Sequence, residues 1–200
     1  MNVKQERTWL LATRIAAAVV GALLVVLTLT GIALTFRYRP DVTGVSSVYA
    51  GAAGLGHRSS LSARSVHQLA SAVFLPAVGA LAIASIGLSL VRRNRAPIAL
   101  SPLAGVAALV ATLTGFLLPW DQLGLWAVTV GTNFRGYTSI LDNKHQVRYV
   151  LIGSSATPVA TFSREYWLHA VLVPVVIAGL LIALAISTLR ASKLTGASEE

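Results

Sequence analysis

The chain contains no cysteine, and its only methionine is residue 1. The first absence excludes disulfides, thiolate metal centres, cysteine-held iron–sulfur clusters and covalently attached c-type haem. The second leaves four histidines, His57, His67, His145 and His169, as the soft ligands of the chain. Charge is also scarce: Asp, Glu, Lys and Arg together make up 12% of 200 residues. No phosphate-binding loop, hydrolytic triad or zinc signature is present. The excess of base over acid, a formal net charge of +9, does not point to nucleic acid. The basic residues stand between long apolar runs, where lipid headgroups or an acidic partner are the natural counter-charges.

What is abundant is apolar surface. With 55% hydrophobic residues and a mean hydropathy of +0.72, the composition lies outside that of soluble domains. Four apolar runs, A to D, cover Ile15 to Phe36, Val66 to Val91, Ile98 to Leu118 and Leu168 to Leu189. Each approaches the ~20 residues a helix needs to cross ~30 Å of hydrocarbon. Run A exceeds the ~7–15 residues of a secretory signal core and reads as a retained span. The expected architecture is an all-α membrane protein forming one domain over residues 1–200. Its four transmembrane helices, at about 10–36, 66–91, 98–118 and 167–190, form an up-and-down bundle.

The tight B–C connection, RRNRAP at 92–97, carries three arginines ahead of Pro97, a favourable first-turn residue. By the positive-inside rule this short loop is cytoplasmic, which puts both termini inside and the A–B and C–D loops on the extracytoplasmic side. Counting all sixteen Lys and Arg, eight fall on each side; the short loop carries more weight because long loops translocate largely regardless of charge. The A–B loop is rich in Gly and Ser and reads as a surface segment. Within the C–D loop, DQLGLWAVTVGTNF is apolar enough to pack as short helices at the interface, and HQVRYVLIG has some strand character. No strong internal repeat is evident.

Helices B and D run parallel in such a bundle, and each begins with a histidine, His67 and His169, preceded shortly by an arginine, Arg64 and Arg164. A single histidine near a membrane interface is more often a hydrogen-bonded residue than a ligand. Two at equal depth, with Arg64 one turn before His67 on the same face, suit another role. Such a pair can hold a haem iron from both sides while an arginine neutralises a propionate that is costly in a low-dielectric setting. Gly31 and Gly115 fall at about the same depth on A and C. Glycine is common in membrane helices for packing reasons, but it also permits the close approach a flat macrocycle demands.

Four stretches in order, TGIALTFRYRPDVT at 30–43, RSVHQLASAVF at 64–74, GFLLPWDQLGLWAVTVGTN at 115–133 and SREYWLHAVLVP at 163–174, resemble signatures of the N-terminal four-helix half of cytochrome b, most closely the cytochrome b6 type of the bc/b6f family. The resemblance covers nearly the whole chain, and the Pro-Trp-Asp-Gln run is especially specific. It implies that His67 and His169 are the axial metal ligands of the haem b on the outer side. Arg64, Arg164, Gly31 and Gly115 are then its cofactor-binding neighbours. Trp126, Thr129 and Asn133, in the stretch that borders the outer quinol pocket of relatives, are weak quinone candidates. His57 and His145 carry no assigned role.

The sequence departs from the family in its inner half. Relatives bind a second haem through histidines about four turns further along B and D; here those positions are Leu81 and about Ala183, and the accompanying glycines are replaced by Ala17 and Ser101. Neither B after His67 nor D after His169 contains another His, Met, Cys, Lys or Tyr. The cysteine that tethers an extra haem in the b6 type has no counterpart, and the second half of cytochrome b with its Pro-Glu-Trp-Tyr motif is absent. The resulting expectation is an electron-transfer subunit of a respiratory-type complex in a bacterial or archaeal cytoplasmic membrane. It carries one bis-histidine haem near the outer face and works between quinone and an extracytoplasmic Rieske or other iron–sulfur, cytochrome c, molybdenum or hydrogenase subunit. The chain is not expected to be catalytic alone, and a homodimer is compatible with it. The rivals are half of a split cytochrome b in a quinone cycle and a haem-free membrane anchor or assembly subunit.

Overall fold

A computed structural model of the chain describes residues 3–36, 63–118 and 159–196. Five α-helices and one π-helical turn account for almost all of them: α1 (Val3–Thr35), α2 (Ala63–Arg92), α3 (Ala96–Leu117), α4 (Val159–Trp167), the π turn (Leu168–Leu172) and α5 (Val173–Gly196). Four helical segments are long and apolar enough to cross a membrane, the fourth being the continuous stretch Ser163–Thr188. The chain is therefore an all-α integral membrane bundle. Helix α1 starts at Val3, ahead of the apolar run, and its 33 residues extend ~50 Å at ~1.5 Å per residue. The surplus carries Lys4, Glu6 and Arg7 beyond the hydrocarbon-length core.

Helix packing follows the chain order, α1 on α2, α2 on α3 and α3 on α5, while α1 meets the fourth span chiefly at the π turn. The sequence reason is a narrow inward stripe on each helix. On α2 the buried positions Ala70, Phe74, Val78, Leu81, Ser85 and Leu88 recur every three or four residues, the period of one helical face. On α3 the buried set is small, with Ser101, Ala104 and Ala108, which lets neighbouring backbones approach where van der Waals packing rather than hydrophobicity drives association. The outward faces are apolar, with Leu29, Ile83, Leu103 and Val175 all exposed, as a lipid-facing surface requires.

At one end of the bundle α2 turns into α3. Arg93 adopts a left-handed φ of 53°, and the Asn94 N–H reaches back to the Ser89 carbonyl at 3.1 Å, the six-to-one bond that closes a helix in a Schellman turn. Asn94 then serves both sides of the turn. Its Oδ1 accepts from the Ala96 N–H at 3.2 Å and its Nδ2 donates to the Ser187 carbonyl at 3.0 Å, so the α2–α3 connection is stitched to the fourth span. At the same end Glu6 of α1 pairs with Arg92 of α2 at 2.8 Å, and the Trp9 ring lies where a side chain on Gly87 would go, 2.6 Å from the ideal Cβ position.

Between the two ends lies a continuous apolar core that includes Val20, Phe74, Val78, Leu81, Ala104, Ala108, Ile177 and Leu184. The sequence places Ala183 four turns beyond His169, but the residue that turns inward is Leu184, at 3% exposure. The π turn accounts for the offset: it carries one residue more per turn than an α-helix, so the register below it advances by one. Its cause is local. Pro174 has no N–H to donate to the carbonyl four residues earlier and its ring crowds that carbonyl; the widened turn immediately before it, closed by the Val173 N–H on the Leu168 carbonyl, relieves the conflict.

Candidate functional site

The opposite end of the bundle gathers the only two histidines among the described residues. His67 lies in the second turn of α2 and His169 in the π turn. Their rings meet in a T-shaped arrangement, with centroids 6.1 Å apart and planes inclined by 72°. A bond from a metal ion to imidazole nitrogen is about 2 Å long, so two imidazoles sharing one ion from opposite sides have centroids about 6 Å apart. The observed separation fits that arrangement. Two donors do not complete a coordination shell, and no group of three or more His, Cys, Asp or Glu gathers among the described residues. The gap suits an ion that brings its own equatorial ligands, as in a porphyrin, better than a bare ion.

Each imidazole is held from behind by a neighbouring helix. The Thr30 hydroxyl of α1 lies 2.9 Å from His67 Nδ1. On the other side the Thr114 hydroxyl of α3 lies 3.2 Å from His169 Nδ1, which also bonds to the Ala111 carbonyl at 3.0 Å. The next residue in each helix is a glycine, and the imidazole rests against it. A Cβ on Gly31 would stand 3.4 Å from the His67 ring, and one on Gly115 only 2.5 Å from the His169 ring. Gly115 thus makes room for the His169 imidazole itself, whereas at Gly31 a side-chain carbon would meet the His67 ring at ordinary contact distance.

Sequence inspection missed these threonines, although a signal was available. Residues 28–31 and 112–115 both read Thr-Leu-Thr-Gly, a four-residue repeat shorter than the structural repeats usually sought. It places the same two-residue tool, a hydroxyl and then a gap, on the two helices that flank the histidines.

The basic residues sit at this same end. Arg64 is half-buried, one turn before His67. Arg164 is exposed and pairs through Nη2 with Oε1 of its neighbour Glu165 at 2.8 Å. Glu165, a carboxylate 7% exposed one turn before His169, was not singled out from the sequence. Nothing in its local spacing distinguishes it from a solvated residue. His57, His145, Trp126, Thr129 and Asn133, with the short helices and strand expected of the C–D loop, lie outside the described residues.

Away from the histidine end, the positions that would carry a second ligand pair are filled. Leu81 and Leu184 are 4% and 3% exposed and pack into the apolar core with Val20, Ala104 and Ala108. No soft ligand lines that part of the bundle among the described residues.

The sequence profile of the family described as cytochrome b/b6/petB matches residues 10–192. A curated relative, cytochrome b6 of Synechocystis sp., is 29% identical over 159 residues, which is 76% of this chain and 68% of the relative. A match from the first apolar helix through the last, over a bundle of four membrane-length helices, shows that the chain belongs to the cytochrome b/b6 family of membrane haem b electron-transfer subunits.

Proposed function

We propose that this subunit carries a single haem b, held by His67 and His169 toward the extracytoplasmic side, and serves a redox complex between quinone and an extracytoplasmic partner. The observation that carries the reading is the pair of opposed imidazoles 6.1 Å apart at one end of a bundle whose other half is closed by Leu81 and Leu184. Haem b with two imidazole ligands supplies reversible one-electron storage and offers no open coordination position to oxygen or substrate.

The remaining roles belong to the protein. Arg64, three residues before His67, and Arg164, five before His169, provide positive charge that suits the propionates of a haem at that depth. Gly115 lets the His169 imidazole settle against α3, and Gly31 stands beside the His67 imidazole. The apolar outward faces and close-packed core would limit water around a haem held there and so lower the reorganisation that accompanies each electron.

Orientation rests on the α2–α3 turn. Arg92, Arg93 and Arg95 favour the cytoplasmic side for it, which leaves the histidine end and the 37–62 and 119–158 connections outside. Basic residues in those connections, Arg37, Arg39, Arg58, Arg135, Lys144 and Arg148, suit docking of an acidic redox partner. Such a partner is an iron–sulfur or Rieske protein, a c-type cytochrome, or a molybdenum or hydrogenase subunit. Trp126, Thr129 and Asn133 are the candidate quinone contacts.

The test is the haem-to-polypeptide ratio of the native complex, with its subunits identified. One haem b per chain is expected. Two would return the chain to the quinone-cycle family as half of a split cytochrome b, and none would make it a haem-free anchor. His67→Ala or His169→Ala should abolish the b-type reduced-minus-oxidised spectrum, whereas Leu81→Ala should leave it intact.

A further inference from the structure

Both histidines present Nδ1 to a threonine, and the hydrogen-bond inventory of those threonines fixes which partner donates. A hydroxyl has one proton. Thr30 directs its own to the Val26 carbonyl at 2.7 Å, with the Leu27 carbonyl at 3.3 Å. Thr114 directs its own to the Val110 carbonyl at 2.8 Å, with Ala111 at 3.1 Å. These back-bonds to the preceding turn are the ordinary recourse of threonine inside a helix. Each hydroxyl therefore offers the imidazole only a lone pair, and the proton in the Thr–His bond belongs to the imidazole. The Ala111 carbonyl 3.0 Å from His169 Nδ1 reaches the same answer independently, because a carbonyl can only accept.

We infer that Thr30 and Thr114 are positioning residues that hold His67 and His169 in the Nδ1–H tautomer, with the Nε2 lone pairs free to ligate across the gap between the rings. The inference rests on the haem reading given above and adds how this chain prepares its ligands. Metal-ligating histidines commonly donate their second ring N–H to a fixed acceptor, which sets the tautomer, orients the ring and raises its donor strength. Here the acceptor is borrowed from the adjacent helix on each side. The repeated Thr-Leu-Thr-Gly segment supplies the acceptor on both sides, the threonine accepting from Nδ1–H, and on the α3 side the following Gly115 also gives the ring clearance.

The two sides are not equal. His169 keeps the Ala111 carbonyl if Thr114 loses its hydroxyl, and the Thr114 contact is the longer one at 3.2 Å. His67 has the shorter threonine contact, 2.9 Å, and its backbone acceptor, the Leu27 carbonyl, is less well aligned than Ala111 is for His169. Removing the hydroxyl of Thr30 should therefore matter more.

The experiment compares Thr30→Val, Thr114→Val, Thr30→Ser and Thr114→Ser in the native complex by redox titration of the haem, low-spin electron paramagnetic resonance and haem content. Valine keeps the volume and removes the acceptor. A weaker donor stabilises the ferric state less, so Thr30→Val should shift the one-electron equilibrium toward the reduced form by about threefold to tenfold, or about 28–59 mV upward, and change the g values. Thr114→Val should shift it less, and both serine variants should match the parent. Loss of haem in Thr30→Val with retention in Thr30→Ser also supports the inference. A Thr30→Val potential and spectrum equal to the parent's, or equal effects of valine and serine, overturns it while leaving the haem reading intact, since His67→Ala reports on that reading separately. A parent complex without b-type haem overturns both.

Discussion

Gly31 and Gly115 occupy matching places in the two Thr-Leu-Thr-Gly segments, yet alanine should be tolerated at one and not at the other. At Gly31 the added carbon would meet the His67 ring at 3.4 Å, ordinary contact distance. At Gly115 it would stand 2.5 Å from His169 Cε1 and 3.1 Å from both ring nitrogens, so the imidazole must retreat by about 1 Å. That retreat lengthens bonds already at 3.0 and 3.2 Å beyond useful range. Both bonds come from the one Nδ1–H of His169, and leaving that buried donor unmatched costs about 1–3 kcal/mol in ligand preorganisation. At about 1.4 kcal/mol per tenfold, Gly115→Ala should weaken haem retention about 5- to 140-fold, against less than about fivefold for Gly31→Ala. The assay is haem per polypeptide in complexes purified from membranes, followed by the rate of haem transfer to an acceptor apoprotein. Alanine favours helix over glycine by up to ~1 kcal/mol, so a folding defect in α3 would not explain the loss. Equal haem loss in the two variants, or full retention in Gly115→Ala, refutes the reasoning.

The turn end of the bundle yields two more predictions. Arg92 is more deeply buried than its partner, with 6% of its side chain exposed against 17% for Glu6, and its Nη1 already has no hydrogen-bond partner. Glu6→Ala, which strands a buried cation, should therefore destabilise the bundle by about 2–4 kcal/mol, whereas Arg92→Met leaves a carboxylate near the start of α1 that can turn to water and should cost less. Thermal melts in detergent separate the two, and the opposite order would contradict the burial argument. Gly87→Ala places a methyl group 2.6 Å from the Trp9 ring and should lower stability by about 1–3 kcal/mol through overpacking. The haem spectrum should be unaffected, and stability should recover in the Gly87→Ala/Trp9→Leu double variant.

Much of this was legible because membrane helices write their own boundaries. Runs of about 20 apolar residues located all four spans, and the arginine-rich RRNRAP turn separated α2 from α3 as expected. His67 and His169 stood out because polar groups are so rare around them that any histidine in a span requires an explanation. What escaped notice is what an apolar environment conceals. Thr30 and Thr114 look like lipid-compatible residues whose hydroxyls bond to their own helix, and only the fold reveals that the remaining lone pairs face an imidazole. The one-residue advance from Ala183 to Leu184 was likewise invisible, because a proline in a helix announces a disturbance but not whether the chain answers with a kink or a π turn. Glu165 was overlooked for a similar reason: pairing with the adjacent Arg164 makes its burial tolerable, and adjacency in sequence says nothing about depth.

The asymmetry between the two ends of the bundle bears on what the subunit can do in a complex. At the histidine end, helices α1 and α3 contribute glycine and threonine, leaving imidazoles opposed across a gap. At the turn end the same helices contribute Trp9 and Ser101, and the interior is filled by leucine side chains and a buried ion pair. On the proposed single-haem reading, an electron that arrives at the histidine end would find no second carrier among the described residues to take it through the remaining thickness. Donor and acceptor would then approach from the same side, a quinone laterally through the lipid and the redox partner from the aqueous face. On that reading exchange runs along one membrane face rather than as charge movement across the bilayer, and a complex containing this subunit should reduce or oxidise quinone without generating a membrane potential through it; a potential that tracks electron flow through the haem of this subunit would refute it.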